Sequence, residues 1–277
     1  MITPTNMPQR FAASLLLALA LGATLVSCAV PPPQPAVPAN ETKDRITASD
    51  EPDAQKRARS RVELASAYFE RGQMTTALDQ VKLAIVADPL YGQAFNLRGL
   101  IYGNLGDQAL AEESFKRALQ LNPRDADAMH NFGWNLCQQK RYSESTSLFS
   151  QALAQPQYRG VARTLLAQGV CQAFAGQLAE SDTTLSRAFE LDPTNPFTAT
   201  NLAQVLYQRG EYERARFYIR RVNALPEVSN AQTLWLAARI ENKIGNKPGT
   251  AEFGSQLRNR FPDSREAASF ARGEFDE

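Results

Sequence analysis

Prolines recur at a nearly constant interval over most of the chain. Six of the sixteen prolines are spaced 34, 33, 37, 33 and 36 residues apart. Because proline lacks a backbone N–H and ends a helix, this interval predicts a repeating unit that contains one helix end each time. Periods of about 20 to 50 residues are typical of proteins that stack one short unit on the next. These prolines are Pro89, Pro123, Pro156, Pro193, Pro226 and Pro262.

Small residues and turn residues keep the same phase as the prolines. When six units begin near residues 58, 92, 126, 162, 196 and 231, unit positions 8, 20 and 27 are mostly glycine, alanine or serine. Small residues let two helices approach closely, and the turn between them favours glycine because its φ can be positive. The predicted turn, at unit position 15, is occupied by Gly72, Gly106, Lys140, Gly176, Gly210 and Gly245.

This pattern is the signature of the tetratricopeptide repeat, a helix–turn–helix unit of about 34 residues. It predicts an all-α fold, a superhelix of about six such units with a C-terminal capping helix. Unit six departs most from the pattern, because Gly254 stands where a large apolar residue is typical. The stretch from Asp263 to about Phe275 predicts the capping helix, which covers the apolar face of the last unit. The predicted units are 58–91, 92–125, 126–161, 162–195, 196–230 and 231–263.

The amino-terminal residues predict an export signal rather than a part of the fold. Arg10 is the only charged residue before position 41, and an apolar run of about 16 residues follows it. That run is shorter than the roughly 20 residues of a membrane-spanning helix, so a permanent transmembrane anchor is the weaker interpretation. The sequence leaves open whether Met1 or Met7 is the true start.

The apolar run ends in Leu25-Val26-Ser27-Cys28, which resembles the bacterial lipobox. The resemblance implies a signal peptide of residues 1–27, cleavage just before Cys28, and acylation of the Cys28 thiol and the new amino terminus. Two or three acyl chains anchor a protein stably without a transmembrane helix. Ala29 stands where an aspartate retains such lipoproteins in the inner membrane, so we predict a lipid-anchored protein on the periplasmic face of the outer membrane. The alternative is an ordinary signal peptide followed by a coincidental cysteine.

Residues 28–55 predict a tether between the lipid anchor and the repeats. Five prolines fall within the nine residues 30–38, and a polar stretch follows. Proline-rich sequence favours extended polyproline II at about 3.1 Å per residue, so roughly 25 residues reach up to about 70 Å. The stretch is alternatively a proline-rich ligand for a partner. The repeat domain is predicted to occupy residues 56–277.

Composition excludes several classes of function. The chain has 30 Lys and Arg residues against 29 Asp and Glu, so no overall charge draws it to nucleic acid. His130 is the only histidine, which rules out a multi-histidine metal site and leaves few options for acid–base catalysis. The sequence has no glycine-rich phosphate loop and no metal-ligand spacing. We therefore predict neither an enzyme, nor a cofactor, nor a small-molecule substrate.

In a tetratricopeptide superhelix the first helices of successive units line a concave groove, chiefly through unit positions 2, 5, 9, 12 and 13. Here those positions carry apolar and aromatic side chains accompanied by amides, which suits an amphipathic helix or an extended peptide. Alternatively, many of these aromatic side chains pack between repeats. The predicted partner-binding residues are Val62, Phe69, Asn96, Leu100, His130 and Trp134, and further groove positions hold Arg163, Leu166, Val170, Phe197, Tyr207, Trp235 and Arg239.

Two cysteines fall in the first helices of neighbouring units. Cys137 and Cys171 are 34 residues apart, so stacking places them close together. The compartment to which the chain is exported is oxidising, which favours a disulfide over two buried free thiols. We therefore predict a disulfide between units three and four.

The lipobox at Cys28, the tether and the six repeats together resemble the type IV pilus biogenesis/stability lipoproteins of the PilW/PilF type, which are tetratricopeptide-repeat pilotins. The resemblance covers nearly the whole chain after the signal. It includes ELASAYFERGQMTTALDQVKLAIVADP at 63–89 and NFGWNLCQQKRYSES at 131–145. It implies an outer-membrane lipoprotein that binds subunits of the type IV pilus secretin and promotes their localisation and multimerisation.

Within that hypothesis, the first two units are expected to make most of the contact with the secretin, because they lie nearest the tether. The residues concerned are Val62, Phe69, Asn96 and Leu100. The alternative is a scaffold lipoprotein that uses the same repeats for another envelope complex, such as those of peptidoglycan synthesis or β-barrel assembly.

Overall fold

The repeating pattern folds into paired helices. The computed structural model describes residues 51–275, all within the compact unit Ile46–Glu277. Over that range the structure consists of thirteen α-helices and has no strand, which confirms the predicted all-α fold. The helices are α1 Asp53–Glu70, α2 Met74–Ala87, α3 Gly92–Leu105, α4 Gln108–Leu121, α5 Ala126–Gln138, α6 Tyr142–Leu153, α7 Val161–Phe174, α8 Leu178–Leu191, α9 Pro196–Gln208, α10 Tyr212–Asn223, α11 Ala231–Ile244, α12 Lys247–Arg260 and α13 Arg265–Arg272.

The periodic prolines and the turn residues lie where the sequence predicts them. Each of the six periodic prolines follows the second helix of its pair by two or three residues, as Pro89 follows Ala87. In each unit, the residue at position 15, in the turn between the first and the second helix, has a positive φ, for example 84° at Gly106. Lys140 occupies this position in unit three with a φ of 61°, and it is the only non-glycine residue with a positive φ in the described range.

The first helices of the units form one layer. Each first helix contacts the first helix of the next unit, through the pairs α1–α3, α3–α5, α5–α7, α7–α9 and α9–α11. The second helices pack against their own first helix and the first helix of the following unit. In the described range, neighbouring second helices meet through long side chains, as where the ring centroids of Phe189 and Tyr218 lie 5.0 Å apart. The first helices therefore line the inner side of the stack, on which the sequence predicts the groove.

Close approach explains why unit position 8 is small. A Cβ at Gly99 would lie 2.7 Å from the ring of Phe115, and one at Gly169 would lie 2.6 Å from Leu185. Phe115 and Leu185 are both fully buried. Each large side chain from a second helix thus fills the space left by the small residue on its first helix, which repeats the same core in successive units.

The predicted capping helix is α13, which packs on α11 and α12. The unusual glycine of unit six makes this possible, because a Cβ at Gly254 would lie 1.8 Å from the ring of Phe270. Phe270 also meets the ring of Trp235 edge-on, with centroids 6.4 Å apart. Gly254 is therefore the socket for the capping helix.

Several predictions for the amino-terminal part lie outside the described residues. These are the signal peptide of residues 1–27, the lipidation site Cys28, and the tether as far as residue 50. Helix α1 begins at Asp53, three residues before the predicted start of the repeat domain. Within residues 51–275, no helix has the length and apolar character that a bilayer crossing requires.

Candidate partner-binding groove

A shallow cavity opens on the first-helix layer across units three to five. Its volume is about 360 Å³, and its walls come from α5, α7 and α9. We call this cavity the open groove. Its lining residues are His130, Trp134, Arg163, Leu166, Ala167, Val170, Phe197 and Asn201.

The open groove is apolar at its centre and polar at its rim. Phe197, in the first turn of α9, is 71% exposed although it is a large apolar residue. Leu166 and Val170, one turn apart on α7, are half-buried. At the rim, Arg163 pairs with Asp127 at 2.5 Å. Exposed apolar side chains bordered by polar groups are typical of a surface that binds another polypeptide.

His130 forms part of the floor of the open groove and is only 8% exposed. Its Nδ1 lies 2.8 Å from Thr164 Oγ1, which in turn lies 2.7 Å from the hydroxyl of Tyr158. Burial, assisted by the positive charge of Arg163 and opposed by Asp127, lowers the pKa of His130 to about 4. The ring is therefore neutral at pH 7 and fixed by a hydrogen bond between units three and four.

In units one and two the side chains of the predicted groove residues are partly used in core packing. Val62 and Phe69 are half-buried and pack against the core of the first unit, and Leu100 packs against the cores on both sides of it. Asn96 Oδ1 accepts a hydrogen bond from Asn131 Nδ2 at 3.1 Å. These residues lie on the predicted layer, but their side chains also hold successive first helices together.

In units five and six the inner surface is covered by the chain itself. Residues 273–275, which follow α13 and which we call the terminal segment, lie over Tyr207, Trp235 and Arg239. The sequence predicts these three side chains in the groove but does not predict that the terminal segment covers them. The sequence predicts a capping helix that extends to about Phe275, but α13 ends at Arg272, so Phe275 lies beyond the helix and reaches Trp235.

The structure joins Cys137 and Cys171 as a disulfide, with their Cα atoms 5.8 Å apart. Both residues are almost fully buried and pack with Phe149 and Trp134. The bond links α5 to α7, and these helices carry His130 and Trp134 on one side of the open groove and Leu166 and Val170 on the other. It therefore fixes the spacing of two walls of the groove.

A larger cavity, of about 790 Å³, lies at the loops between units two, three and four. Its lining is polar and carries both signs of charge, with Arg124 and Arg159 beside Asp125 and Asp127. Residues 156–160, which connect α6 to α7, form one wall. Because polar and apolar groups share its lining about equally, whereas the lining of the open groove is mainly apolar, this cavity fits an apolar polypeptide segment less well than the open groove does. Among residues 51–275 no group of His, Cys, Asp and Glu side chains is arranged to hold a metal ion.

Comparisons with known proteins define the class first. Family models of the tetratricopeptide repeat match residues 92–125, and also residues 126–154 and 198–222. Together with the paired helices and their inner layer, these matches make the chain a tetratricopeptide-repeat protein.

The particular family follows from two relatives. The crystal structure of PilW, a widely conserved type IV pilus biogenesis factor, is 30% identical with a TM-score of 0.72, and the match covers 76% of this chain and 97% of PilW. The type IV pilus assembly protein PilF of Pseudomonas aeruginosa is 26% identical over 209 residues, which are 76% of this chain and 82% of that protein. The solved structure of Pseudomonas aeruginosa PilF has the same fold, with a TM-score of 0.70. The chain belongs to the PilW/PilF family of tetratricopeptide-repeat proteins of type IV pilus biogenesis.

Proposed function

We propose that this protein is an outer-membrane lipoprotein that acts as a pilotin, binding subunits of the type IV pilus secretin through its inner surface and promoting their localisation and multimerisation. The observation that carries the proposal is the open groove, whose exposed Phe197 and half-buried Trp134 and Leu166 form an apolar surface in a member of a pilus biogenesis family.

The chemistry of the groove suits such a client. A secretin subunit exposes amphipathic strands until its barrel closes, and unpaired strands of that kind aggregate unless they are covered. An apolar groove with polar rims can hold an extended or helical apolar segment by its alternate side chains. Arg163 and Asn201 at the rim supply groups that can hydrogen-bond to the main chain of the bound segment.

The lipid anchor places this groove where it is needed. Acylation at Cys28 holds the protein on the outer membrane, and the tether of residues 28–55 lets the repeats reach a subunit near its point of insertion. The client, the groove and the anchor together account for delivery as well as binding.

The test compares two exposed phenylalanines that lie on different sides of the stack. Phe197→Glu places a charge in the open groove, whereas Phe217→Glu places one on the second helix α10, where Phe217 is 56% exposed. We expect the first substitution to reduce heat-resistant secretin multimers and pili several-fold and the second to leave them near the wild-type level. Immunoblots of unheated extracts and a count of surface pili provide the measurement.

Val62→Asp and Phe69→Asp test the contribution of the first unit in the same assay. Thermal melting of each purified variant shows whether it is folded, since both side chains also contact the core. Wild-type levels of multimers with folded Phe197→Glu, Val62→Asp and Phe69→Asp proteins would exclude the inner surface as the secretin site.

A further inference from the structure

The terminal segment is directed onto the inner surface by a defined turn. Gly273, with a φ of 72°, ends α13, and the N–H of Glu274 donates to the carbonyl of Ser269 at 3.0 Å. The carboxylate of Glu274 pairs with Arg272 across this turn, with 2.5 Å between Oε1 and Nε. Because only glycine adopts this φ without strain, the chain direction after α13 is fixed by one residue.

Phe275 then occupies a small, well-defined subsite. Its ring stacks on Trp235, with centroids 5.3 Å apart and planes inclined by 30°. Its carbonyl oxygen accepts hydrogen bonds from Arg239 Nε at 3.1 Å and from the hydroxyl of Tyr207 at 3.4 Å. The guanidinium of Arg239 lies over the ring of Tyr207, 4.6 Å from its centroid, which holds both donors in place.

The contacts that Phe275 makes are of the kind that a peptide-binding site makes with its ligand. The subsite recognises one aromatic ring and one main-chain carbonyl, and neither contact depends on Phe275 belonging to the same chain. An indole face and a charged donor beside it are general recognition elements for an aromatic residue in an extended polypeptide. Phe275 therefore shows which ligand chemistry the surface of units five and six accepts.

We propose that Tyr207, Trp235 and Arg239 form an aromatic subsite for an extended partner segment, and that the terminal segment is an intramolecular occupant which the partner displaces. The proposal rests on the proposed function only in placing a polypeptide partner on the inner surface. The partner is an extended segment that carries an aromatic residue at the position of Phe275 and apolar residues that reach the open groove.

The distance between the two sites sets the length of that segment. Phe197 lies in the first turn of α9 at the open groove, and Tyr207 lies near the other end of that helix at the aromatic subsite. Their ten-residue separation corresponds to about 15 Å along a helix, which about five residues of extended chain can span. A segment that binds at both places makes more contacts than the terminal segment, which contributes one ring and one carbonyl.

The intramolecular occupant sets a threshold for binding. A short tether keeps its ligand at an effective concentration of the order of millimolar, so a peptide that binds only the aromatic subsite competes poorly. A segment that also fills the open groove overcomes this competition. The arrangement therefore selects for partners that engage both sites.

The experiment uses the full chain in detergent and a synthetic peptide of residues 272–277, RGEFDE, titrated by calorimetry. The matched proteins are the wild type and Phe275→Ala, and the matched control peptide is RGEADE. We expect RGEFDE to bind the Phe275→Ala protein at least about tenfold more tightly than the wild type, because the tethered competitor is gone. RGEADE is expected to bind neither protein.

A second substitution tests the subsite at a position where a change is less able to disturb folding. Arg239→Gln, made in the Phe275→Ala protein, removes the charged donor from a partly exposed position, and we expect it to weaken RGEFDE binding several-fold. The proposal is overturned if RGEFDE binds both proteins equally, if it does not bind the Phe275→Ala protein, or if Arg239→Gln has no effect.

The same titration separates this proposal from the proposed function. Peptide exchange at the subsite, together with wild-type levels of secretin multimers in folded Phe197→Glu, Val62→Asp and Phe69→Asp proteins, supports the subsite and refutes the secretin assignment. Multimers that depend on Phe197, together with no peptide exchange, refute the subsite and leave the secretin assignment in place.

Discussion

Lys140 holds a backbone conformation that glycine holds in the other five units. Its φ of 61° is left-handed, where a Cβ costs about 1 kcal/mol. We expect Lys140→Gly to raise the free energy of unfolding by about 1 kcal/mol, measured by urea denaturation. Gly106→Ala is the matched control, because an added Cβ there meets nothing within 4 Å and only the backbone is strained. It should lower stability by about the same amount, and a loss of stability in Lys140→Gly would contradict this account.

His130 makes stability depend on pH. Its pKa is lowered to about 4, whereas a histidine in an unfolded chain titrates near 6.5. Between these values the unfolded chain binds more protons, so the folded state loses stability as the pH falls through this window. Between about pH 7 and about pH 4.5 we expect a loss of about 2 kcal/mol from this residue.

The measurement compares urea unfolding of the wild type and His130→Gln over that range. Glutamine keeps a polar side chain beside Thr164 and does not titrate, while Arg163 and Asp127 are the same in both proteins. The difference between the two proteins should change by about 2 kcal/mol across the window. If the free energies of unfolding of the two proteins ran parallel across this pH range, folding would not lower the pKa of His130.

At the scale of the helices, the contact between α12 and α13 depends on the absence of one side chain. Alanine is intrinsically better than glycine within a helix by about 0.5–1 kcal/mol, yet a Cβ at Gly254 collides with Phe270. We expect Gly254→Ala to destabilise the protein by about 1–2 kcal/mol through displacement of the ring. In a Phe270→Ala background the same change should stabilise by about 0.5–1 kcal/mol.

A double-mutant cycle measured by chemical denaturation gives both values. The reversal of sign is the diagnostic result, because a helix-propensity effect alone has the same sign in both backgrounds. Equal effects of Gly254→Ala in the two proteins would mean that α13 does not use Gly254 as its socket.

Helix ends and helix contacts could be predicted from the sequence because they depend on local rules that repeat in each unit. Prolines, turn glycines and small residues act within one pair of helices, so their phase gives the fold. At unit position 7, where the repeat usually has leucine, unit two has Arg98. The structure gives the reason: its Nε donates to Ser114 Oγ at 2.8 Å, and its guanidinium lies over the ring of Phe95. A polar pair there replaces the usual apolar contact.

The groove was only partly predictable, because a side chain on the first-helix layer can either pack against the neighbouring repeat or face the groove. Val62 and Trp134 are both predicted groove residues and both pack against a core cluster, yet Trp134 also lines the open groove. The cover on Trp235 comes from a residue 40 positions away and outside the repeat. No periodic pattern carries information about such a contact.

At the scale of the whole molecule, localisation and partner binding are assigned to different parts of the chain. The lipid anchor predicted at Cys28 is expected to set the localisation, and the repeat domain is expected to bind the partner. We expect Cys28→Ala to abolish incorporation of a radiolabelled or clickable palmitate and to remove the protein from outer-membrane fractions, because acyl chains supply the membrane affinity. The repeats should fold as in the wild type, with an unchanged melting temperature. Continued labelling of the Cys28→Ala protein would contradict the lipobox interpretation.

The two tryptophans of the chain both lie on the inner surface, one in each half of it. Trp134 borders the open groove, and Trp235 lies beneath the ring of Phe275. Their fluorescence therefore comes entirely from the surface that we propose binds the partner. Single-tryptophan proteins, made by Trp134→Phe or Trp235→Phe, report separately on the two halves. The order in which a partner reaches the open groove and releases the terminal segment can thus be followed in real time, without an added label.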